Sequence, residues 1–134
     1  MRIEVNQLPP PEMSPNWRGH WAQRHQASRI YREAVFYSCV DVRNRLMAIG
    51  EWQPFNRVRI ELTFVYPVHR RRDRDNLIAM FKPGLDAIIA AGLVADDDVE
   101  HVEIGQVNVD VSRTGAPLTI IELDEIKELE AESK

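Results

Sequence analysis

A chain of 134 residues with 44% hydrophobic content fits one domain with a real core and leaves no room for two. Its net charge is −4, yet residues 1–82 carry 14 Lys/Arg against 8 Asp/Glu, while residues 83–134 carry 3 against 13. That split keeps a nucleic-acid partner open, because such a protein needs only one basic face. No apolar run of about 18 residues exists, which argues against a membrane-spanning helix. The start, Met1-Arg2-Ile3-Glu4-Val5, lacks the apolar core of a secretory signal, so a cytoplasmic location is expected. The lone Cys39 supports neither a disulfide framework nor a cysteine-built zinc site, and His20, His25, His69 and His101 have no metal-ligand spacing.

In chain order, residues 2–8 alternate and read as a strand stopped by Pro9-Pro10-Pro11. Ser14 to Gln26 reads as a loop rich in Trp, Arg and His. Tyr31, Val35, Cys39, Val42, Leu46 and Ile49 recur at spacings of three and four, one apolar face of a long helix that Gly50 stops. Residues 57–66 form the clearest strand, with Val58, Ile60, Leu62, Phe64 and Tyr66 on one side. A second helix starts near Asp75 and runs to Gly92, with a kink or break expected at Pro83-Gly84. Residues 100–111 alternate again, but the phase slips between Ile104 and Val107, which predicts a bulge near Gly105. Residues 118–123 return as a strand, and the charged tail from Asp124 is a marginal helix or frayed. The order β-α-β-α-β-β predicts an α+β fold, a mixed sheet packed against two helices.

The loop Arg70-Arg71-Arg72-Asp73-Arg74-Asp75-Asn76, with Asp96-Asp97-Asp98 further on, carries the chemistry. Carboxylates supply hard oxygen ligands for Mg²⁺, and arginines supply planar donors for phosphate oxygens. The ordinary alternative is a helix cap beside solvated arginines, but a cap needs one carboxylate and this junction has two. An EF-hand is excluded, because Ile78 stands where its loop needs Gly and Gly84 where it needs Glu. No Gly-rich phosphate loop is present. Arg70, Arg71, Arg72 and Arg74 are candidate phosphate contacts. Arg18 and Arg24 join them through the aromatic-basic stretch Trp17 to Arg24, whose Trp17 and Trp21 read first as cover for the core and second as stacking surfaces for bases.

Three segments together resemble a known family: Arg71 to Leu77, Lys82 to Ile88, and Ala91 to Asp97. They are similar to the RusA family of Holliday junction resolvases, and Leu8-Pro9-Pro10 with Ser14 and Asn16 resembles that family's start. The resemblance covers nearly the whole chain. It implies a Mg²⁺-dependent endonuclease that acts as a homodimer on four-way DNA junctions. By position, Asp73, Asp75 and Asp97 match the catalytic, metal-holding aspartates, and Lys82 matches the functional lysine. One departure stands out: the family places that lysine three residues after the Asn, whereas Asn76 to Lys82 is six. On a continuous helix the extra three residues would turn it by roughly 60° and advance it about 4.5 Å. A straight helix to Gly92 would also carry Asp97 far from Asp75, so either the helix folds back at Pro83-Gly84 or a partner subunit supplies Asp97. The rivals are a less structure-selective DNase and a non-catalytic DNA-binding protein of the same fold.

Overall fold

The computed structural model describes residues 1–95 and 101–126. Among the described residues, four strands and three α-helices form an α+β fold with a mixed sheet. The strands are β1 (Arg2–Val5), β2 (Val58–Tyr66), β3 (Val102–Val111) and β4 (Leu118–Glu125). The helices are α1 (Trp21–Ala48), α2 (Arg74–Met80) and α3 (Lys82–Ala90). The sheet order is β1-β4-β2-β3: β4 is antiparallel to both neighbours, while β2 and β3 run parallel.

Strand β2 is the spine of the core. Val58, Ile60, Leu62 and Phe64 are fully buried, and the residues between them are more open, as the alternation predicts. Each such side chain contributes about 1.5–3 kcal/mol on burial. Helix α1 buries Tyr31, Val35 and Cys39 against this face. The buried face of α1 is tied to β4 by a polar relay: Thr119 donates to the Gln7 carbonyl at 2.6 Å, which leaves its oxygen to accept from the Tyr31 hydroxyl at 3.0 Å.

Two expectations need correction. The stretch 14–26 is not all loop: α1 already starts at Trp21, because the ring nitrogen Nδ1 of His20 accepts from the Ala22 amide at 3.1 Å and caps the helix. A histidine cap lies outside the Ser, Thr, Asp and Asn signals that mark a helix start. The sheet also packs against three helices, not two. The second expected helix breaks at Phe81, whose ring is fully buried between Tyr31 and Phe64, with centroids 6.3 and 6.1 Å away. Pro83 has no amide to continue the ladder, and α3 restarts with it in the first turn. Gly84 is buried, and any Cβ there would meet the Phe81 ring at 2.6 Å.

Strand β1 ends at Val5, short of residue 8, and Ile49 lies just past α1 and is exposed, but the expected bulge and both glycine stops hold. The register of β2 on β3 shifts between Ile60 and Leu62, which sets Gly105 and Gln106 opposite one residue and makes the bulge. Gly50 and Gly92 follow their helices with φ of 72° and 76°, the left-handed turn that glycine adopts without strain. Strand β4 extends through Asp124 and Glu125, beyond the expected end at residue 123.

Candidate active site

Strand β2 ends at Tyr66, and the chain turns through Pro67 to Arg72 before α2 begins. The acidic motif therefore sits beyond the carboxyl end of a strand paired in parallel, the region where open α/β sheets place their ligands. Asp73 is the N-cap of α2, and its Oδ1 accepts from the Asp75 amide at 3.3 Å. The cap engages one carboxylate oxygen of Asp73 and leaves the Asp75 side chain out of the bond. Both carboxylates are exposed.

The arginines differ in how they are held. The Arg72 guanidinium lies over the Tyr66 ring, 3.4 Å from its centroid. That stacking fixes a side chain that would otherwise be mobile, and a desolvated contact of this kind is worth about 1–2 kcal/mol. Arg74 donates to the Gly105 carbonyl at 2.8 Å, which joins the motif to the bulge of β3. Arg70 and Arg71 are exposed. A small cleft of about 160 Å³ is lined by Ser14, Tyr66, Arg71, Arg72, Asp73 and Asn76, with Leu77 and Met80 at its apolar side. Among the described residues, neither Arg72 Nε nor Tyr66 Oη, both buried, has a hydrogen-bond partner. Burial pushes the Tyr66 phenol up from its usual value, and the Arg72 charge opposes that only in part, so the group stays a neutral hydroxyl.

The structure thus brings Asp73, Asp75, Arg71, Arg72 and Arg74 to one junction. Arg24 approaches it from α1, donating to the carbonyl of Ser14, a cleft residue, at 3.4 Å. Arg18 is exposed and does not line the cleft. Lys82 lies past the helix break, so the rotation expected on a continuous helix does not apply. Its Nζ sits 2.9 Å from Asp86 Oδ1, an exposed pair one turn apart in α3, and it does not line the cleft. Asp97, with Asp96 and Asp98, lies outside the described residues. Among the described residues no three His, Cys, Asp or Glu side chains converge as a metal-ligand group.

Sequence reasoning missed Tyr66, which reads as one more core residue of β2 until its ring is seen under Arg72. It also missed a stripe on α1. Trp21, 73% exposed, shares one side of that helix with exposed His25, Arg29 and Arg32, four, eight and eleven residues on. Only the helical start at Trp21 aligns them; as a loop they had no common face. No protein-family model matches the chain, and no curated protein matches it either.

Proposed function

We propose that this protein is a Mg²⁺-dependent endodeoxyribonuclease that resolves four-way DNA junctions by paired phosphodiester cuts, as a RusA-type homodimer. The observation that supports this best is the junction after β2: two exposed carboxylates, Asp73 and Asp75, beside arginines held by stacking on Tyr66 and by the Gly105 carbonyl. A helix cap accounts for Asp73 and does not account for Asp75 or for the held arginines.

The donor chemistry fits a hard divalent cation, since both side chains offer exposed carboxylate oxygens at one helix start. Asp73 and Asp75 would hold it, with Asp97 as the third carboxylate on the resemblance. Bound there, Mg²⁺ supplies Lewis-acid stabilisation of phosphate charge and an oriented water. The residues themselves do the rest. The Arg72 fork, kept in one orientation by Tyr66, grips a phosphate oxygen and positions the backbone. Arg71 and Arg74 flank it. Arg70, Arg18, Arg24 and the α1 stripe extend the positive surface along the DNA. Lys82 would need to leave Asp86 to reach a phosphate, a small demand for an exposed i,i+4 pair.

The test is cleavage of a synthetic four-way junction beside linear duplex and a splayed arm, with Mg²⁺ and with EDTA. Wild type gives paired symmetric nicks in the junction alone, and Asp75→Asn abolishes them. Equal cutting of every substrate would replace the reading with a general DNase. Junction binding without cutting in any divalent metal would replace it with a DNA-binding protein.

A further inference from the structure

We propose that the cavity at the far end of β2 from the acidic loop is a binding site for a small organic cation, an alkyl or quaternary ammonium compound free in solution. The cavity holds about 590 Å³, the size of a small-molecule site. It lies where α1 has ended, β2 has yet to begin and β4 finishes, with Leu46, Gly50, Trp52, Phe55 and Glu125 on its walls. The nine residues of β2 separate it from the junction after Tyr66 by about 26 Å at the rise of a strand. The site is thus distinct from the nuclease site and does not rest on the nuclease reading.

Three features of the walls select a positive ligand. The first is aromatic. Trp52 and Phe55 meet edge to face, with ring centroids 6.4 Å apart and planes at 89°, so they make two sides of a corner. Both are half-buried. Phe55 is held by its backbone: its amide donates to the Leu93 carbonyl at 2.8 Å, and its carbonyl accepts from the Ala95 amide at 2.7 Å. Ring faces carry the negative side of the aromatic quadrupole, and ammonium groups seek such corners.

The second is charge. Glu51 and Glu125 bring two exposed carboxylates to the cavity. Glu125 Oε2 accepts from the Asn56 amide at 3.1 Å, which holds one oxygen and leaves the other open. Glu51 is placed by the turn that ends α1: its amide donates to the Leu46 carbonyl at 2.9 Å across Gly50. Among the described residues that line the cavity, none is Lys, Arg or His. Met1, which also lines it, turns its ammonium onto the Leu123 carbonyl at 3.0 Å, and Arg45 of the last turn of α1 pairs with Asp41 at 2.7 Å.

The third is the helix itself. Leu46 and Gly50 put the C-terminal end of the 28-residue α1 at the cavity, and such an end carries about half a negative charge. An anion is repelled by all three features. A neutral apolar ligand gains nothing from the carboxylates, and a bare metal ion gains nothing from the apolar walls. An organic cation uses both: its alkyl groups lie on Leu46, Trp52 and Phe55, and its charge faces Glu51, Glu125 and the helix end.

The experiment adds choline to the nitrogen-labelled full chain and follows the indole N–H resonance of Trp52, assigned by its loss in Trp52→Phe. The controls are sodium chloride at equal ionic strength and the neutral carbon isostere of choline, in which a tert-butyl group replaces the trimethylammonium. Choline shifts the resonance saturably, and sodium chloride does not. The isostere binds about tenfold more weakly, because the cation–π contact is gone. Glu125→Gln keeps the oxygen that accepts from Asn56 and removes only the charge; it weakens choline binding about threefold, as does Glu51→Gln. Both residues are exposed, so neither change threatens the fold. The absence of a saturable choline shift overturns the proposal. Equal binding of choline and its isostere overturns it too, as does unchanged choline affinity in the folded double variant. Junction cleavage is read at the other end of β2, so the two readings fail separately.

Discussion

Asp73 does two jobs on the proposed reading, and three substitutions separate them. Its Oδ1 caps α2 by accepting the Asp75 amide at 3.3 Å, a long bond on an exposed surface. Asp73→Ala removes that cap, and the stability loss is about 1 kcal/mol. For a domain of this size that lowers Tm by about 3–5 °C. Asn caps as well as Asp, so Asp73→Asn keeps stability close to wild type while removing one metal-binding charge. Asp75 caps nothing and is exposed, so Asp75→Asn changes stability by no more than about 0.5 kcal/mol. The assay pairs thermal melts with Mg²⁺-dependent junction cleavage. Melting order is wild type, Asp73→Asn and Asp75→Asn together, then Asp73→Ala below them. Cleavage falls at least a hundredfold in all three variants. If Asp73→Asn and Asp75→Asn both cut at the wild-type rate, the carboxylates are a cap and a bystander, and the metal-site reasoning fails.

Lys82→Gln breaks an exposed i,i+4 pair and lowers stability by about 0.5 kcal/mol or less; a tenfold or larger loss of cleavage with unchanged melting places Lys82 on the phosphate instead of on Asp86. Replacing Arg70 and Arg71 by Gln weakens junction binding and lowers the slope of log affinity against log salt by about two, read by titration in EDTA at several salt concentrations. Gly84→Ala drives a methyl into the buried Phe81 ring at 2.6 Å and costs about 1–3 kcal/mol in denaturant unfolding; a neutral result would mean that the break between α2 and α3 can relax. Burial pushes the Cys39 thiol up to about 12 from its ordinary 9.0, so the folded protein resists thiol reagents at mild alkaline pH. The unfolded chain binds fewer protons between those values, so stability falls as pH climbs from 9.0 toward about 12, and Cys39→Ala flattens that slope in denaturant midpoints.

The sequence by itself determined the parts of this protein that follow from periodicity and from turn chemistry. The buried face of β2 is written as Val58, Ile60, Leu62, Phe64 and Tyr66 at a period of two. The core face of α1 is written as Tyr31, Val35 and Cys39 at a period of four, and the bulge as a slip of phase at Gly105. The adjacency of Asp73 and Asp75 to four arginines is likewise a fact of the chain, because neighbours in sequence need no fold to meet.

Tertiary structure decided what depends on residues far apart. The break between α2 and α3 was legible in Pro83-Gly84, but the place of the Phe81 ring between Tyr31 and Phe64 rests on contacts that no local pattern encodes. That break moves Lys82 onto a new helix beside Asp86. Arg72 is oriented by Tyr66 from the preceding strand, and Arg74 by a carbonyl 31 residues on. Trp21, His25, Arg29 and Arg32 share a face only because His20 starts α1 where no ordinary cap signal stands. Strand order, too, is invisible to a period of two: alternation says that β3 has an apolar side, and only its place at the end of the sheet leaves that side uncovered.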